Sequence, residues 1–471
     1  MELGVPTMIM TRKGFTGIIT NNFAGLGFSN EAPVVKEWPW DLFTAEGDLS
    51  VIDAEVNTVI KGLTQWEPQI RETGIYPPDM VTVTADNYEE AYTKMNYTFL
   101  QYQWGDGLPL TPPTAKTVDW ILTGTDLDPT STVGHYGKFY PKGGILTVHS
   151  LAVCLALAGG RPEYLPVIIA YAEAMQEPDF AHESMNTTTC STWPACIVNG
   201  PVAKQIRLSS GYGCFGPDPL FPANGSIGRA MRIAQQNIGG ALPATGSMAI
   251  YGHNRHTNTV FAEDEEGLPE DWPSLSEERG FAKGSNTALV AAVAGINNIN
   301  TYGKGSSPLV GGFNLQNLLY TYQGFMAIPS TNNTESSYYM GDIKGKDSGI
   351  LVVPRYVAKA FSEGGWTKQD VKQWLYENAR IIDLPNVREW AESQKIDGAL
   401  AVFGDDWYPV PLYTSPDDVL IAVAGGEQSG HNAYLQHGTS WSINQIKEIH
   451  LPTNWDELIS QAEKDLGPRQ L

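Results

Sequence analysis

Charged residues are scarce in this sequence, and the basic ones are outnumbered. Asp, Glu, Lys and Arg make up 17% of the 471 residues, against about 25% in an average soluble domain. The 52 acidic and 30 basic residues give a formal net charge of −22. A field of that sign repels phosphate backbones, so we expect no nucleic-acid partner.

Long apolar runs and cysteines are also few. No segment reaches the ~18 uninterrupted apolar residues of a membrane-spanning helix. The longest apolar segment, residues 144–159, is interrupted by a histidine and a serine. The 4 cysteines include no Cys-x-x-Cys pair and make no disulfide framework for a chain of this length. The sequence therefore predicts a cytoplasmic protein with reduced thiols and no membrane partner.

The chain has ample material for hydrophobic cores, because 42% of its residues are hydrophobic and 10% are aromatic. Its length allows one to three domains of the usual size, about 150 residues. Low charge, 48 Gly and 13 Trp indicate a surface of loops and subunit interfaces, so we expect a homo- or hetero-oligomer. Strand-like and helix-like segments alternate along the chain, which predicts an α/β fold.

Changes of pattern divide the chain into three predicted segments. Residues 1–75 begin with the apolar run VPTMIM at 5–10 and end with an amphipathic stretch at 52–63. We interpret them as a partial flavodoxin-like α/β unit, entered as if a preceding strand and helix were missing. Residues 76–328 are predicted as a central α/β domain with glycine-rich loops, and residues 329–471 as a C-terminal α/β region. No internal repeat is evident.

Periodicity and capping residues predict individual elements. Strands are expected at 80–85, 349–353 and 419–424. Helices are expected from a capping box at 86–89, at 146–158, 163–175 and 226–238, and after Thr367.

Five stretches of the chain resemble the long members of the UGSC-motif (seleno)protein family. They are GDGLPLTPPT at 105–114, GRPEYLPV at 160–167, IVNGP at 197–201, ANGSIGRA at 223–230 and GGWTKQDV at 364–371. The similarity spans nearly the whole chain. Family members typically begin with a Cys/Sec-Gly-Ser-Cys element and a helix ending in a pattern like ELGVPT, which stands here at 2–7. The sequence therefore starts just after that element.

The resemblance implies thiol or selenol chemistry, loosely like that of the selenoprotein subunit of glycine reductase. It also implies that the key Cys or Sec comes from an upstream segment or from a small partner subunit that carries the Cys/Sec-Gly-Ser-Cys motif.

A glycine-rich loop at 211–217 leads into the predicted helix at 226–238. The amides of Asn224, Gly225 and Ser226, the helix dipole and Arg229 form a candidate anion site for a carboxylate or phosphate. The alternative is an ordinary helix cap, since Asn and Ser cap helices well. The rigid loop at 105–114 offers Asp106 either as a wall of a ligand site or as a cap of local amides.

A second glycine-rich loop follows the predicted strand at 419–424. Ligands of open parallel sheets bind at the carboxyl ends of strands, so Gly425 and Gly426 are candidate binding residues and His431 a candidate catalytic one. The alternative is a surface turn.

The remaining candidates are a thiol and two imidazoles. Cys190 needs a base to become a nucleophile, and His182 is near it in sequence; a core role for Cys196 and a small buried Cys190 is the favoured alternative. His253 is a candidate acid/base residue. Its His-x-x-His pattern lacks a fixed third ligand, so no metal is predicted, and no cofactor is evident.

These observations predict an enzyme that acts on a small anionic organic substrate through thiol or selenol redox or substrate-activation chemistry. The alternatives are a cofactor-independent hydrolase or lyase that uses Cys190 with His182 or His253, and a non-catalytic binding subunit of a larger complex. We expect one cavity to be lined by Asp106, Asn224, Ser226, Arg229, His253 and His431.

Overall fold

A computed structural model describes residues 8–17, 19–20, 34–39, 42, 47–65, 80–253, 256–300, 314–327, 349–380, 409, 411–427, 431–438 and 442–468. The strands are β1 (Met8–Arg12), β2 (Val34–Trp38), β3 (Lys138–Phe139), β4 (Gly144–Ile145), β5 (Trp193–Asn199), β6 (Thr259–Ala262), β7 (Thr287–Asn300), β8 (Ile350–Val353), β9 (Leu420–Val423), β10 (His431–His437) and β11 (Gln445–Glu448). The helices are α1 (Ser50–Ala54), α2 (Val56–Thr64), α3 (Tyr88–Gln101), α4 (Ala115–Leu122), α5 (Val148–Leu157), α6 (Leu165–Met175), α7 (His182–Thr187), α8 (Pro201–Gln205), α9 (Pro222–Asn237), α10 (Leu275–Glu278), α11 (Leu315–Met326), α12 (Arg355–Glu363), α13 (Lys368–Asn378) and α14 (Trp455–Leu466). Among these described residues, no helix has both the length and the apolar character that a membrane crossing needs.

A mixed sheet of 7 strands forms the centre of the molecule, in the order β6-β5-β7-β10-β8-β9, with β11 beside the first half of β7. The pairs β5–β6 and β8–β9 are parallel, and the other pairings are antiparallel. The α/β prediction is confirmed. Strands on both sides of residue 328 belong to this one sheet, so the boundary predicted there runs through it.

The sheet contains the same topology twice. Strand β5 pairs with β6 in parallel and with β7 antiparallel. In the same way, β8 pairs with β9 in parallel and with β10 antiparallel. Strands β7 and β10 pair antiparallel at the centre. Helices α8 and α9 connect β5 to β6, as α12 and α13 connect β8 to β9. The sequence hides this repeated topology because short buried strands accept any apolar residues.

The two faces of the strands bury different cores, as expected for side chains that alternate along a strand. Inward residues from every strand of the path, among them Ile197, Phe261 and Val352, form one cluster, so the sheet is curled around them. The outer face of β5, β6 and β7 packs on α5, α6 and α9. The outer face of β8, β9 and β10 packs on α11, α12 and α13.

Most of the predicted central elements occur close to their expected bounds, with three differences. Residues 80–85 form no strand, and their exposed residues Met80 and Val81 show that no sheet covers that side. Helix α3 is capped by Asn87, which accepts from the Glu90 amide at 3.0 Å, not by the predicted box. Helix α9 begins four residues before the predicted start because Pro222 suits its first position.

The described part of the N-terminal segment contains β1 parallel to β2, with α2 against β1. Residues 1–4 and most of 15–26, the loop at 330–337, and residues 428–430 lie outside the described residues. The flavodoxin-like assignment stays a prediction.

Glu263 and Asp264 join the two free edges of the sheet. The Asp264 amide donates to the Val423 carbonyl at 2.7 Å, and Arg355 binds the Asp264 carboxylate at 2.7 and 2.8 Å. Glu263 accepts from Asn199 Nδ2 at 2.7 Å and from the amides of Leu275 and Val423 at 2.8 and 3.3 Å. Burial raises the pKa of Glu263 in spite of these bonds. The carboxyl end of β6 is therefore fastened to β9.

Replacing Arg355 by Ala should lower the free energy of unfolding by about 1–3 kcal/mol, because it leaves the buried Asp264 carboxylate without its counter-ion. The loss should fall short of that for a fully buried pair, since the Arg355 side chain is 41% exposed. Urea denaturation measures the change. Lys359→Ala on the same helix is the matched control: it breaks an exposed 3.7 Å pair with Glu363 and should cost about 0.5 kcal/mol or less. Equal losses in the two variants would contradict the joining role of Arg355.

Candidate functional site

Helix α9 presents two arginines on one face, Arg229 and Arg232, since residues three apart are neighbours on a helix. Arg229 donates to both oxygens of Asp106 at 2.7 and 3.0 Å and to the Pro109 carbonyl at 2.9 Å. Burial favours protonation of Asp106, but the bonds and charge of Arg229 outweigh it and hold the pKa below its usual value. The predicted loop at 105–114 thus meets helix α9, and Asp106 neutralises the charge of Arg229.

Arg232 is buried and has no hydrogen-bonding or ionic partner among the described residues. Its side chain is 6% exposed, and it forms no hydrogen bond or ion pair with the described part of the chain. Its Nη1 is enclosed without an acceptor. Burial lowers the pKa of Arg232 to about 10, although the nearby Asp106 charge opposes the shift. Because Arg229 binds both oxygens of Asp106, the charge of Arg232 is not balanced by the described residues, in a place where an uncompensated charge is costly.

The charge of Arg232 acts on His253. The Ile250 amide donates to the Thr189 carbonyl at 3.1 Å, which holds the segment of His253 against the loop that carries Thr192. Burial, and then the charge of Arg232, lower the pKa of His253 to about 3; a backbone contact with Thr192 opposes the shift. His253 is therefore neutral at pH 7, and both of its ring nitrogens are buried, with the backbone of Thr192 as a weak hydrogen-bonding neighbour.

A chain of buried amides continues along α9 from Arg232. Gln235 donates to Asn186 at 2.8 Å and accepts from Asn258 at 2.9 Å. The ring of His182 completes the chain, with Nε2 at 2.7 Å from Asn186 Nδ2. These groups are neutral, so they fix the position of the helix without balancing the charge of Arg232.

His182 is a core residue and not the predicted base for Cys190. Its ring packs on Phe139 with 4.3 Å between ring centroids, and burial lowers the pKa of His182 to about 3. Its hydrogen bond is committed to Asn186. The closeness of His182 and Cys190 in sequence does not determine the direction in which the histidine ring points.

Asn224 has a structural role instead of the predicted one. It accepts from the Ser209 amide at 2.9 Å and donates to the carbonyls of Cys214 and Val260, each at 2.8 Å. Because α9 starts at Pro222, Ser226 and the residues after it lie beyond the first turn, where amides bond within the helix. The surplus positive charge therefore sits at Arg232, and not at the helix start. Gly225 and Ser226 are half-buried in the turns before Arg229.

Gly425 and Gly426 follow the carboxyl end of β9, as predicted, and contact the other glycine-rich loop. The Gly425 amide donates to the Ser210 carbonyl at 2.8 Å. A Cβ on Gly426 would lie 2.2 Å from the ring of Tyr212, so a larger residue there would have to displace that ring.

His431 is not part of the arginine site. It is exposed and faces Asn298 at 3.1 Å from the start of β10. Strand β7 runs on from Val293, its last partner in β5, to Asn300, the partner of His431. That distance is about 23 Å at ~3.3 Å per residue. The prediction of one cavity for all six residues is wrong; the structure gathers Asp106, Arg229 and His253 around Arg232.

The cysteines differ in burial. Burial raises the pKa of Cys154 to about 12 and that of Cys196 further, so neither is a thiolate at pH 7. The core role of Cys196 is confirmed, and Cys214 is also buried. Cys190 is half-buried, and its amide bonds the Thr188 hydroxyl at 3.2 Å. It lies on the loop that contacts the segment of His253.

A separate pocket of about 660 Å³ lies between α6 and β11. Its lining includes Glu173, Glu177 and Glu448 but a single lysine, Lys447, which pairs with Glu177. This acidic surplus is of the wrong sign for an anionic substrate. Within the described ranges, no three His, Cys, Asp or Glu side chains are grouped so as to hold a metal ion.

Sequence reasoning missed Arg232. Arg232 shares a helix face with Arg229 and Gln236, so the amphipathic pattern gave no sign that it is buried. No family model, curated protein or solved structure matches the chain. The likeness to the UGSC-motif family therefore stays an expectation.

The two buried histidines make stability sensitive to acid. Below about pH 6.5 the unfolded chain binds a proton on His182 and on His253 that the folded chain does not bind until about pH 3. The free energy of unfolding should therefore fall as the pH drops through this window, by about 1.4 kcal/mol per pH unit for each ring. His182→Gln, which keeps a hydrogen-bonding group for Asn186, should reduce the slope by that amount.

Urea denaturation between pH 7.5 and 4.5 measures the slope. His450→Gln is the matched control, because the ring of His450 is exposed. A slope that is the same in His182→Gln as in the unmodified protein would refute the burial argument.

Proposed function

We propose that the protein is an enzyme acting on a small anionic organic substrate, which binds through Arg232. The observation that carries the proposal is the buried guanidinium without a counter-ion. A ligand carboxylate would supply the missing charge, and the planar fork of a guanidinium matches a carboxylate with two parallel hydrogen bonds. The neutral imidazole of His253 is then available as an acid/base group beside the bound anion.

Exposed apolar side chains flank the site in sequence. Trp104 and Leu108 enclose Asp106 in the first loop, and Ile250 and Tyr251 precede His253, with Tyr251 89% exposed. Such side chains suit the organic part of a substrate or a docking subunit. They support the proposal of a homo- or hetero-oligomer, and the free state of the cysteines supports a cytoplasmic location.

The proposed chemistry is thiol or selenol redox or substrate activation, on the resemblance to the UGSC-motif family. The buried thiols of Cys154 and Cys196 are unsuited to it because their pKa values are raised. The proposal therefore assigns the reacting Cys or Sec to a Cys/Sec-Gly-Ser-Cys element, upstream or in a small partner subunit. A non-catalytic binding subunit would bind the same anion without turnover.

The alternative is a hydrolase or lyase with Cys190 as nucleophile. It is favoured by the contact between the loop of Cys190 and the segment of His253, through Thr189 and Ile250. His253 is the base available to this alternative, since His182 is committed elsewhere.

Cys190→Ser separates these two chemistries. The alternative predicts a loss of turnover of about a hundredfold or more, since a nucleophile would be removed. The first proposal predicts turnover within about twofold of the unmodified protein. Cys214→Ser is the control, since it removes another thiol that neither chemistry uses. Turnover of all three proteins is measured with the proposed small subunit present. A large loss confined to Cys190→Ser would make the hydrolase or lyase the leading reading.

Arg232→Met tests the anion site by a gain of stability. Removing an uncompensated buried charge and filling its place with an apolar chain should raise the free energy of unfolding by about 1–3 kcal/mol. The same change should abolish the stabilisation that a bound carboxylate gives. Urea denaturation with and without acetate measures both effects.

Arg229→Met, one turn earlier on the same helix, is the matched control. It removes a paired arginine and leaves the Asp106 carboxylate without that counter-ion, so it should lower the free energy of unfolding by about 1–3 kcal/mol. If Arg232→Met is destabilised as well, and acetate still stabilises it, Arg232 does not bind the anion.

A further inference from the structure

We propose that the pocket between α6 and β11 binds a small organic cation, an amine whose ammonium group pairs with the carboxylate of Glu173. This ligand site goes beyond the anion site at Arg232 and does not depend on it. The juxtaposition that carries the proposal is a half-buried carboxylate in the last turn of an otherwise uncharged helix, facing a pocket of about 660 Å³ with an aromatic wall.

Glu173 is the charged residue of α6. The other residues of this 11-residue helix are uncharged and buried, whereas Glu173 is half-buried and lines the pocket. Its carboxylate forms no hydrogen bond or ion pair with the part of the chain that the structure describes. Burial raises the pKa of Glu173, although the charges of Lys447 and His450 oppose the shift. A cation in the pocket would supply the partner that the ionised carboxylate lacks.

The negative charge around Glu173 has several sources. The C-terminus of a helix carries a partial negative charge, which a basic residue usually balances, but the last turn of α6 contains none. Glu177 lies four residues after Glu173, close to it in space, and binds Lys447. Glu448 adds a third carboxylate from β11. Because Glu177 already binds the lysine of the described lining, the charge at Glu173 is left for a ligand.

The walls of the pocket favour an organic cation over a metal ion. Among the described residues, no three His, Cys, Asp or Glu side chains converge as metal ligands, although His135 and His450 also line the pocket. Phe281 and Ile446 add an aromatic and an aliphatic surface, which suit the carbon skeleton of an amine. The volume lies in the usual range of small-molecule pockets, about 300–1,000 Å³.

Benzylamine and benzyl alcohol form a matched pair of probes, since they differ by an ammonium in place of a hydroxyl group at pH 7.5. An ion pair with Glu173 should make benzylamine bind about tenfold more tightly than benzyl alcohol. Calorimetric titration of the full chain at constant ionic strength measures both affinities. Mg²⁺ added at the same ionic strength should leave the affinity for benzylamine within about twofold.

Three variants place the effect on its residues. Glu173→Gln should weaken the binding of benzylamine by about tenfold and leave that of benzyl alcohol within about twofold. Lys447→Met should act in the opposite direction and tighten the binding of benzylamine, because it frees the carboxylate of Glu177. Glu463→Gln on α14 is the matched control: it removes the same charge from an exposed position and should change neither affinity by more than about twofold.

The outcomes distinguish this site from general attraction to an acidic protein. Equal affinities for the two probes, or no binding of benzylamine, would overturn the proposal, and this comparison on the unmodified chain stands even where a variant does not fold. Equal losses in Glu173→Gln and Glu463→Gln would show attraction to the net charge and no site. Displacement of benzylamine by Mg²⁺ would overturn the organic cation in favour of a metal ion. None of these results bears on the anion site, which Arg232→Met tests.

Discussion

The carboxylates of Glu263 and Asp264 hold together two sheet edges that the strand order places furthest apart. Without them, β6 and β9 would expose their unpaired amides and carbonyls, and the inner cluster around Ile197 and Phe261 would lose its enclosure. The duplicated topology makes this closure possible, because each half presents a parallel strand pair whose outer member lies at a free edge. Arg355 from the second half and Asp264 from the first bind each other across the junction.

The curl of the sheet also decides where α9 lies. A Cβ on Gly228 would be 2.2 Å from the Asn258 carbonyl oxygen, so the helix approaches the chain just before β6 as closely as glycine permits. Asn224 fixes the start of the helix to β6 through the Val260 carbonyl. With both points fixed, the helix carries Arg232 into the interior and leaves Arg229 in reach of Asp106. The burial of Arg232 thus follows from the close approach of α9 to the chain before β6. A side chain at position 228 would prevent this approach.

A buried arginine without a counter-ion among the described residues lowers the free energy of unfolding, and the polar groups around Arg232 do not balance its charge. The amides of Asn186, Gln235 and Asn258 bond one another and carry no charge. Burial, and then the charge of Arg232, lower the pKa of His253, so this ring adds no second positive charge at pH 7. The arrangement gives a site with one positive charge and neutral hydrogen-bonding groups, enclosed in a low dielectric where both interact strongly with a ligand.

Sequence patterns predict those helices and strands that depend mainly on interactions between residues close in sequence. The capping box at Thr367, the buried strand Leu420–Val423 and the amphipathic α3 follow from neighbouring residues, and each occurs close to where the sequence predicts it. The sequence predicts an anion site at the start of α9, whereas the anion site proposed from the structure is at Arg232 on the same helix. Whether a charge is buried depends on the strands and loops that pack around its helix, which are distant in sequence. The tertiary structure alone therefore decided that Arg232 is unpaired, that His182 lies in the core and that His431 is remote from the site.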